Sequence, residues 1–186
     1  MFLRAGRRAL WPLAIAMVSA CVHASPEQPD RLRLALSPVS FGRALNLQQQ
    51  VHVEYADRTV DLDAVLEITP DSLTLVGMAF GQRMLTLRYD GVKLREQRHP
   101  MLPGDVRGAD ILTDLQMALW PGEAVRAALP AGWTLSDSDT LRTLSKNSRE
   151  MVTISYDAVP RWKSVVTLRN LEYSYRLVIR SATEDP

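Results

Sequence analysis

Val60-Asp61-Leu62-Asp63-Ala64-Val65-Leu66-Glu67-Ile68 sets Val60, Leu62, Ala64, Leu66 and Ile68 at alternate positions, with Asp61, Asp63 and Glu67 between them. Successive strand side chains point to opposite faces, so this stretch predicts a strand with one apolar and one wet face. Upstream, Val51, Val53 and Tyr55 alternate with His52 and Glu54. Downstream, Leu73 and Leu75, then Leu85, Leu87 and Tyr89, keep the same period. Pro70-Asp71 and Gly77–Gly81 supply turns, and Asp90-Gly91 reads as a hairpin turn into Val92–Arg98. A single wet face is the pattern of an antiparallel sheet.

The period changes between about residues 108 and 129. Ile111, Leu112, Leu115 and Leu119 fall on one helical face, with Asp110 and Asp114 near the start, where the helix dipole favours acids. Trp120-Pro121 breaks the run, and Pro121–Leu129 restarts as a second short helix. Alternation then returns at Trp133 and Leu135, at Leu141–Leu144, and at Val152, Ile154 and Tyr156. It continues through Val166 and Leu168 to Leu171, Tyr173, Tyr175, Leu177 and Ile179. Nine or ten strands with one helical insert predict a mainly β protein. The expected form is a curved antiparallel sheet, or an unclosed β-barrel, with the helical segment plugging its concave face. An incomplete plug would leave an apolar groove.

Composition narrows the function classes. The chain has 186 residues, 46% hydrophobic and 23% charged, which suits one globular domain. A net charge of +1 argues against nucleic-acid binding, and one cysteine excludes an internal disulfide framework. The charge is unevenly placed: Arg4, Arg7 and Arg8 are the only charges in residues 1–20, so the remainder is slightly acidic.

Those twenty residues combine a basic start, an apolar run from Ala9 to Ala20 and small residues at its end, as in an export signal. Twelve helical residues span only about 18 Å, too short for a bilayer core of about 30 Å. Val18-Ser19-Ala20-Cys21 resembles the lipobox of bacterial lipoproteins. That resemblance implies cleavage before Cys21, lipidation of its sulfur and a membrane-lipid anchor. Val22 is not the Asp that retains lipoproteins in the inner membrane, so the outer membrane, facing the periplasm, is the implied address. Alternatively, Val22-His23-Ala24 serves an ordinary signal peptidase and releases a soluble periplasmic protein. Residues 1–20 are thus read as signal, 21–36 as lipidated N-terminus and tether, and 37–186 as one β-rich domain.

No nucleophile elbow, P-loop, dinucleotide-binding or zincin pattern occurs, so no catalytic residue, metal or cofactor is expected. His52 and Glu54 share a face, which an exposed pair on the wet side explains. Binding candidates are better represented. Met78 and Phe80 in a glycine-bounded hairpin tip suggest an apolar finger touching ligand or membrane, or a lid folded onto the core. Met101 and Leu102 suggest a groove rim or a buried linker, and Trp120 and Trp133 a cavity lining or simple core packing.

Several stretches together suggest a family: Ser40-Phe41-Gly42-Arg43, Leu73–Gly77, Phe80-Gly81-Gln82-Arg83, Leu87–Gly91, Asp114-Leu115-Gln116, Leu119-Trp120-Pro121, Gly132-Trp133, Leu168–Leu171 and Tyr175-Arg176-Leu177. In that order they resemble an uncharacterised bacterial outer-membrane lipoprotein family, a domain of unknown function. Its genes often lie beside those for aryl-polyene pigments, with a lipoprotein-carrier homologue and an exporter. The architecture is similar to the LolA/LolB lipoprotein carriers. The resemblance implies a non-enzymatic, outer-membrane-anchored lipoprotein that binds an apolar lipid or polyene chain. Such a protein would help to localise an aryl-polyene lipid or a lipoprotein, with a lipoprotein carrier as a possible partner. The alternative is an envelope scaffold with a filled core and no ligand.

Overall fold

A computed structural model describes residues 31–183. Val18, Ser19, Ala20, Cys21 and most of the expected tether lie outside them. The strands are β1 (Leu45–Tyr55), β2 (Arg58–Ile68), β3 (Leu73–Ala79), β4 (Gln82–Tyr89) and β5 (Leu94–Arg98). Helices α1 (Gly108–Leu119) and α2 (Gly122–Ala128) follow. The remaining strands are β6 (Trp133–Asp137), β7 (Leu141–Lys146), β8 (Arg149–Tyr156), β9 (Val165–Asn170) and β10 (Tyr175–Thr183). All ten strands form one antiparallel sheet in the order β5-β4-β3-β2-β1-β10-β9-β8-β7-β6. The end strands β5 and β6 do not pair, so the sheet is a curved, unclosed barrel.

Helix α1 bridges the concave face from one edge toward the other. Near its start, Gly108 N donates to Glu96 of β5 at 3.1 Å. At mid-helix, Asp114 accepts from the Tyr175 hydroxyl of β10 at 2.7 Å. At its end, the Ala118 carbonyl accepts from Tyr156 of β8 at 2.8 Å, and the Met117 carbonyl from Arg142 of β7 at 2.5 Å. Leu112, Leu115, Met117, Ala118, Leu119 and Trp120 are all buried, so the amphipathic stripe fills the space the curvature leaves. Trp120-Pro121 does end the helix. Trp120 takes an extended backbone at ψ 152, as residues before proline do.

The packed body begins earlier than residue 37. Leu32 and Leu34 are buried, and this extended segment lies along α1. Thr113 Oγ1 accepts from Leu34 N at 3.3 Å. The fully buried Gln116 side chain both accepts from Leu36 N at 3.1 Å and donates to Leu36 O at 2.8 Å. Thr113 and Gln116 are three apart on the helix and Leu34 and Leu36 two apart on the extended chain, so the two periods meet.

Alternation holds along most strands, and in β7 it faces Arg142, not Leu141, inward. Arg142 and Leu144 point inward at 0% exposure, while Leu141 is 48% exposed. Leu141 and Leu144 are three apart and cannot share a face in a regular strand.

Candidate functional site

The β3–β4 hairpin closes with Ala79 paired to Gln82, leaving Phe80-Gly81 as a two-residue turn. Both turn residues have positive φ, +53° and +70°. This turn type matches strand twist and favours Asn, Asp or Gly; a bulky aromatic there is an outlier with a strain cost of about 1–3 kcal/mol. Ala56 in the β1–β2 turn and Asn147-Ser148 in the β7–β8 turn also have positive φ, but those residues are small or polar. Phe80 is 83% exposed, so it forms no lid over the core. A register shift at Gly77/Met78 precedes the tip, and Met78 sits opposite Asp63 on the wet face, 39% exposed.

The face that buries Leu47 and Leu66 opens toward this hairpin end. By register, Val51 stands between Leu62 and Ile179, and Val53 between Val60 and Leu177. Val51, Val53, Leu62 and Leu177 are half-buried, and Val60 and Tyr55 are exposed. The result is an apolar strip on β2, β1 and β10. It is the least covered part of the concave face, with Val51, Leu62 and Leu177 still packed partly against the core.

Other candidates sit elsewhere. Trp120 is fully buried: its indole lies 5.0 Å from the Phe41 ring, and its Nε1 donates to Ser40 Oγ at 3.0 Å. It belongs to the core and lines no cavity. Trp133 is half-buried at the β6 edge, with the Lys146 ammonium 5.8 Å from its ring. Met101 is 66% exposed and Leu102 packs partly against the core. The loop that carries them is tied down by Arg98, which donates to the carbonyls of Pro103 and Val106. Phe80 and the strip therefore share one end of the sheet, and the tryptophans are not part of that surface.

Two open grooves, of about 410 and 320 Å³, indent the surface of the described residues. The larger runs between the Phe80 hairpin and β1, β2 and β10, and its walls include His52, Asp61, Asp63 and Arg180. It is polar rather than apolar. His52 Nδ1 is 2.6 Å from Asp61, its Nε2 is 3.6 Å from Glu54, and Glu54 accepts from Arg176 at 2.6 Å. His52 and Glu54 thus belong to a surface network of alternating charge. Among the described residues, no group of three or more His, Cys, Asp or Glu could hold a metal ion. No described helix is long and apolar enough to cross a membrane.

A buried cluster at the far end of α1 was not foreseen. Arg142 donates to both Asp137 oxygens, at 3.0 and 2.8 Å, and to the Trp120 carbonyl at 3.0 Å as well as that of Met117. Arg161 reaches Asp137 at 2.6 Å and stacks 4.3 Å from the Tyr156 ring centre. Burial pushes the Asp137 carboxyl up, but hydrogen bonds from Arg142 and Arg161 outweigh it and hold the carboxyl below its usual range. Burial likewise raises the Tyr156 hydroxyl. Asp137 fits there because Gly122 has no side chain: a Cβ would lie 1.9 Å from its Oδ2. The one available signal was the three-residue spacing of Leu141 and Leu144, which turns Arg142 inward.

The DUF3261 family model, described as a protein of unknown function, matches residues 46–183. The chain belongs to this family. The DUF3261 match spans β1 to β10 almost residue for residue, so the family unit is the whole sheet with both helices. The Phe80 hairpin, the open strip and the Arg142 cluster all lie within the DUF3261 region. No curated protein matches the chain.

Proposed function

We propose that this DUF3261 protein is a non-enzymatic lipoprotein, anchored in the outer membrane through Cys21 and facing the periplasm. It binds an apolar chain on the open strip and helps to localise an aryl-polyene lipid or a lipoprotein. The observation that carries the reading is Phe80: an aromatic kept 83% exposed on a positive-φ turn, at the end of the sheet where the apolar strip is only half-covered. Two unfavourable features at one position suit a contact made with something outside the fold. The lipobox-like Val18-Ser19-Ala20-Cys21 supports the anchor, and the resemblance of the sequence stretches to an aryl-polyene-associated lipoprotein family suggests the cargo. Binding is passive. Apolar burial favours uptake by roughly 25 cal/mol per Å², and release needs only a better acceptor.

The test uses cis-parinaric acid, a fluorescent conjugated polyene fatty acid. Saturable binding, weakened at least tenfold by Val53→Asp and by Phe80→Glu, is expected. Absence of binding would sink the reading in favour of the second one, an envelope scaffold without ligand, which the filled concave face under α1 supports. The anchor is checked separately. Radiolabelled palmitate should enter the wild-type chain and not Cys21→Ser; a Cys21→Ser chain that still incorporates it ends the lipoprotein proposal.

Stability and binding should separate at the hairpin. Phe80→Asn relieves the turn and is expected to raise the unfolding free energy by about 0.5–1 kcal/mol while weakening parinarate binding. Urea titration beside the fluorescence assay reads both. A destabilised Phe80→Asn protein would mean that Phe80 supports the fold instead.

A further inference from the structure

We propose that the smaller groove, at the β9–β10 end of the wet face, is a binding site for a phosphate group. Register places Thr153, Arg169, Arg176, Glu54 and Thr59 side by side across β8, β9, β10, β1 and β2. Arg169 and Arg176 are directly opposite each other, the arrangement in which like charges repel. Both line an open groove of about 320 Å³ together with Glu54, Ser174 and Leu171. Glu54 is the only carboxylate in that lining, and it meets Arg176 through one nitrogen at 2.6 Å. The Arg176 Nε is buried without a hydrogen-bond partner. Among the described residues, the Arg169 guanidinium has neither a hydrogen bond nor an ion pair. Two positive forks therefore line one groove whose single carboxylate, Glu54, pairs, of the two, with Arg176 alone.

A phosphate oxyanion supplies what is missing. It carries the charge that relieves the cross-strand repulsion, and its oxygens match the forked donors of two guanidinium groups. Glu54 occupies part of the same donor set, so it competes with the ligand. Leu171, 46% exposed on the rim, gives an apolar shoulder to whatever the phosphate is attached to. The group can come from a phospholipid headgroup or from a free phosphate ester. The assignment does not depend on the parinarate strip or on lipidation of Cys21.

Isothermal titration of the full chain in detergent tests this, with inorganic phosphate in one arm and dihexanoylphosphatidylglycerol below its micelle concentration in the other. Saturable binding is expected. Arg169→Gln should weaken it at least tenfold without lowering the melting temperature, because Arg169 is exposed, has no partner to lose, and its removal relieves the repulsion. Glu54→Gln should tighten it by removing the competing carboxylate. Tighter binding of the short-chain lipid identifies a headgroup, and tighter binding of inorganic phosphate identifies a free ester. No saturable binding in either arm, or binding that Arg169→Gln and Glu54→Gln leave unchanged, overturns the proposal.

Discussion

Arg142→Met is expected to lower the unfolding free energy by about 3–5 kcal/mol, the usual cost of breaking a buried ion pair by removing one partner. The side chain is fully buried and performs two tasks at once. It neutralises Asp137 through two hydrogen bonds, and it closes the end of α1 by donating to the carbonyls of Met117 and Trp120. Methionine keeps much of the volume and neither task. Arg161 still reaches Asp137, so the carboxylate is not abandoned, but the helix end loses its donor. For a chain of this size the melting temperature should fall by roughly 6–20 °C.

The same variant carries a pH signature. Because its folded-state pKa is lowered, Asp137 contributes stability that is complete above the unfolded carboxyl value, about 3.9, and is lost as pH falls through the folded value. The gap between wild type and Arg142→Met should therefore be full at pH 7 and narrow below about pH 4. Urea titrations at pH 7, 5 and 3.5 check both points. A gap that is constant over this range would mean that the ion pair is not what Arg142 contributes.

Trp120→Ala is the second large effect, with an expected loss of about 3–5 kcal/mol. The indole is enclosed by the core, packs against Phe41 and donates to Ser40. Truncation removes its transfer energy, leaves a cavity and orphans the Ser40 contact that ties the Pro38–Phe41 turn to α1. Trp120→Phe should recover more than half of the loss, since it restores most of the volume without the N–H. Parinarate affinity of the remaining folded protein should be unchanged, because the open strip does not include this residue. A loss below 1 kcal/mol, or a tenfold change in affinity, would return Trp120 to the candidate ligand contacts.

Much of the fold was legible because its signals are local. The alternation through Val60–Ile68 depends only on the two-residue repeat of a strand, and the turns on residues that tolerate their backbone angles. The helix and its break at Trp120-Pro121 are equally local. The candidate site was half legible. Phe80 stood out as an aromatic between turn glycines, but finger and lid have the same sequence. Trp120 and Phe80 are both large and apolar, and nothing within a few residues of either says which one α1 will cover.

The sequence by itself determined the strands, the helical insert and the inward or outward set of most side chains, because a period of two or 3.6 is a property of the chain alone. Only the tertiary structure decided how much of the apolar face is covered. That depends on where α1 crosses a curved sheet: Leu47 and Leu66 are sealed, while Val53 stays half-buried and Val60 exposed at the hairpin end. It also decided the pairing of charges across strands. Arg169 and Arg176 are seven residues apart in the chain and become neighbours through the β9–β10 turn, while Arg142 meets the end of a helix more than twenty residues away. Both the open strip and the charge clusters are products of long-range register, which no local period encodes.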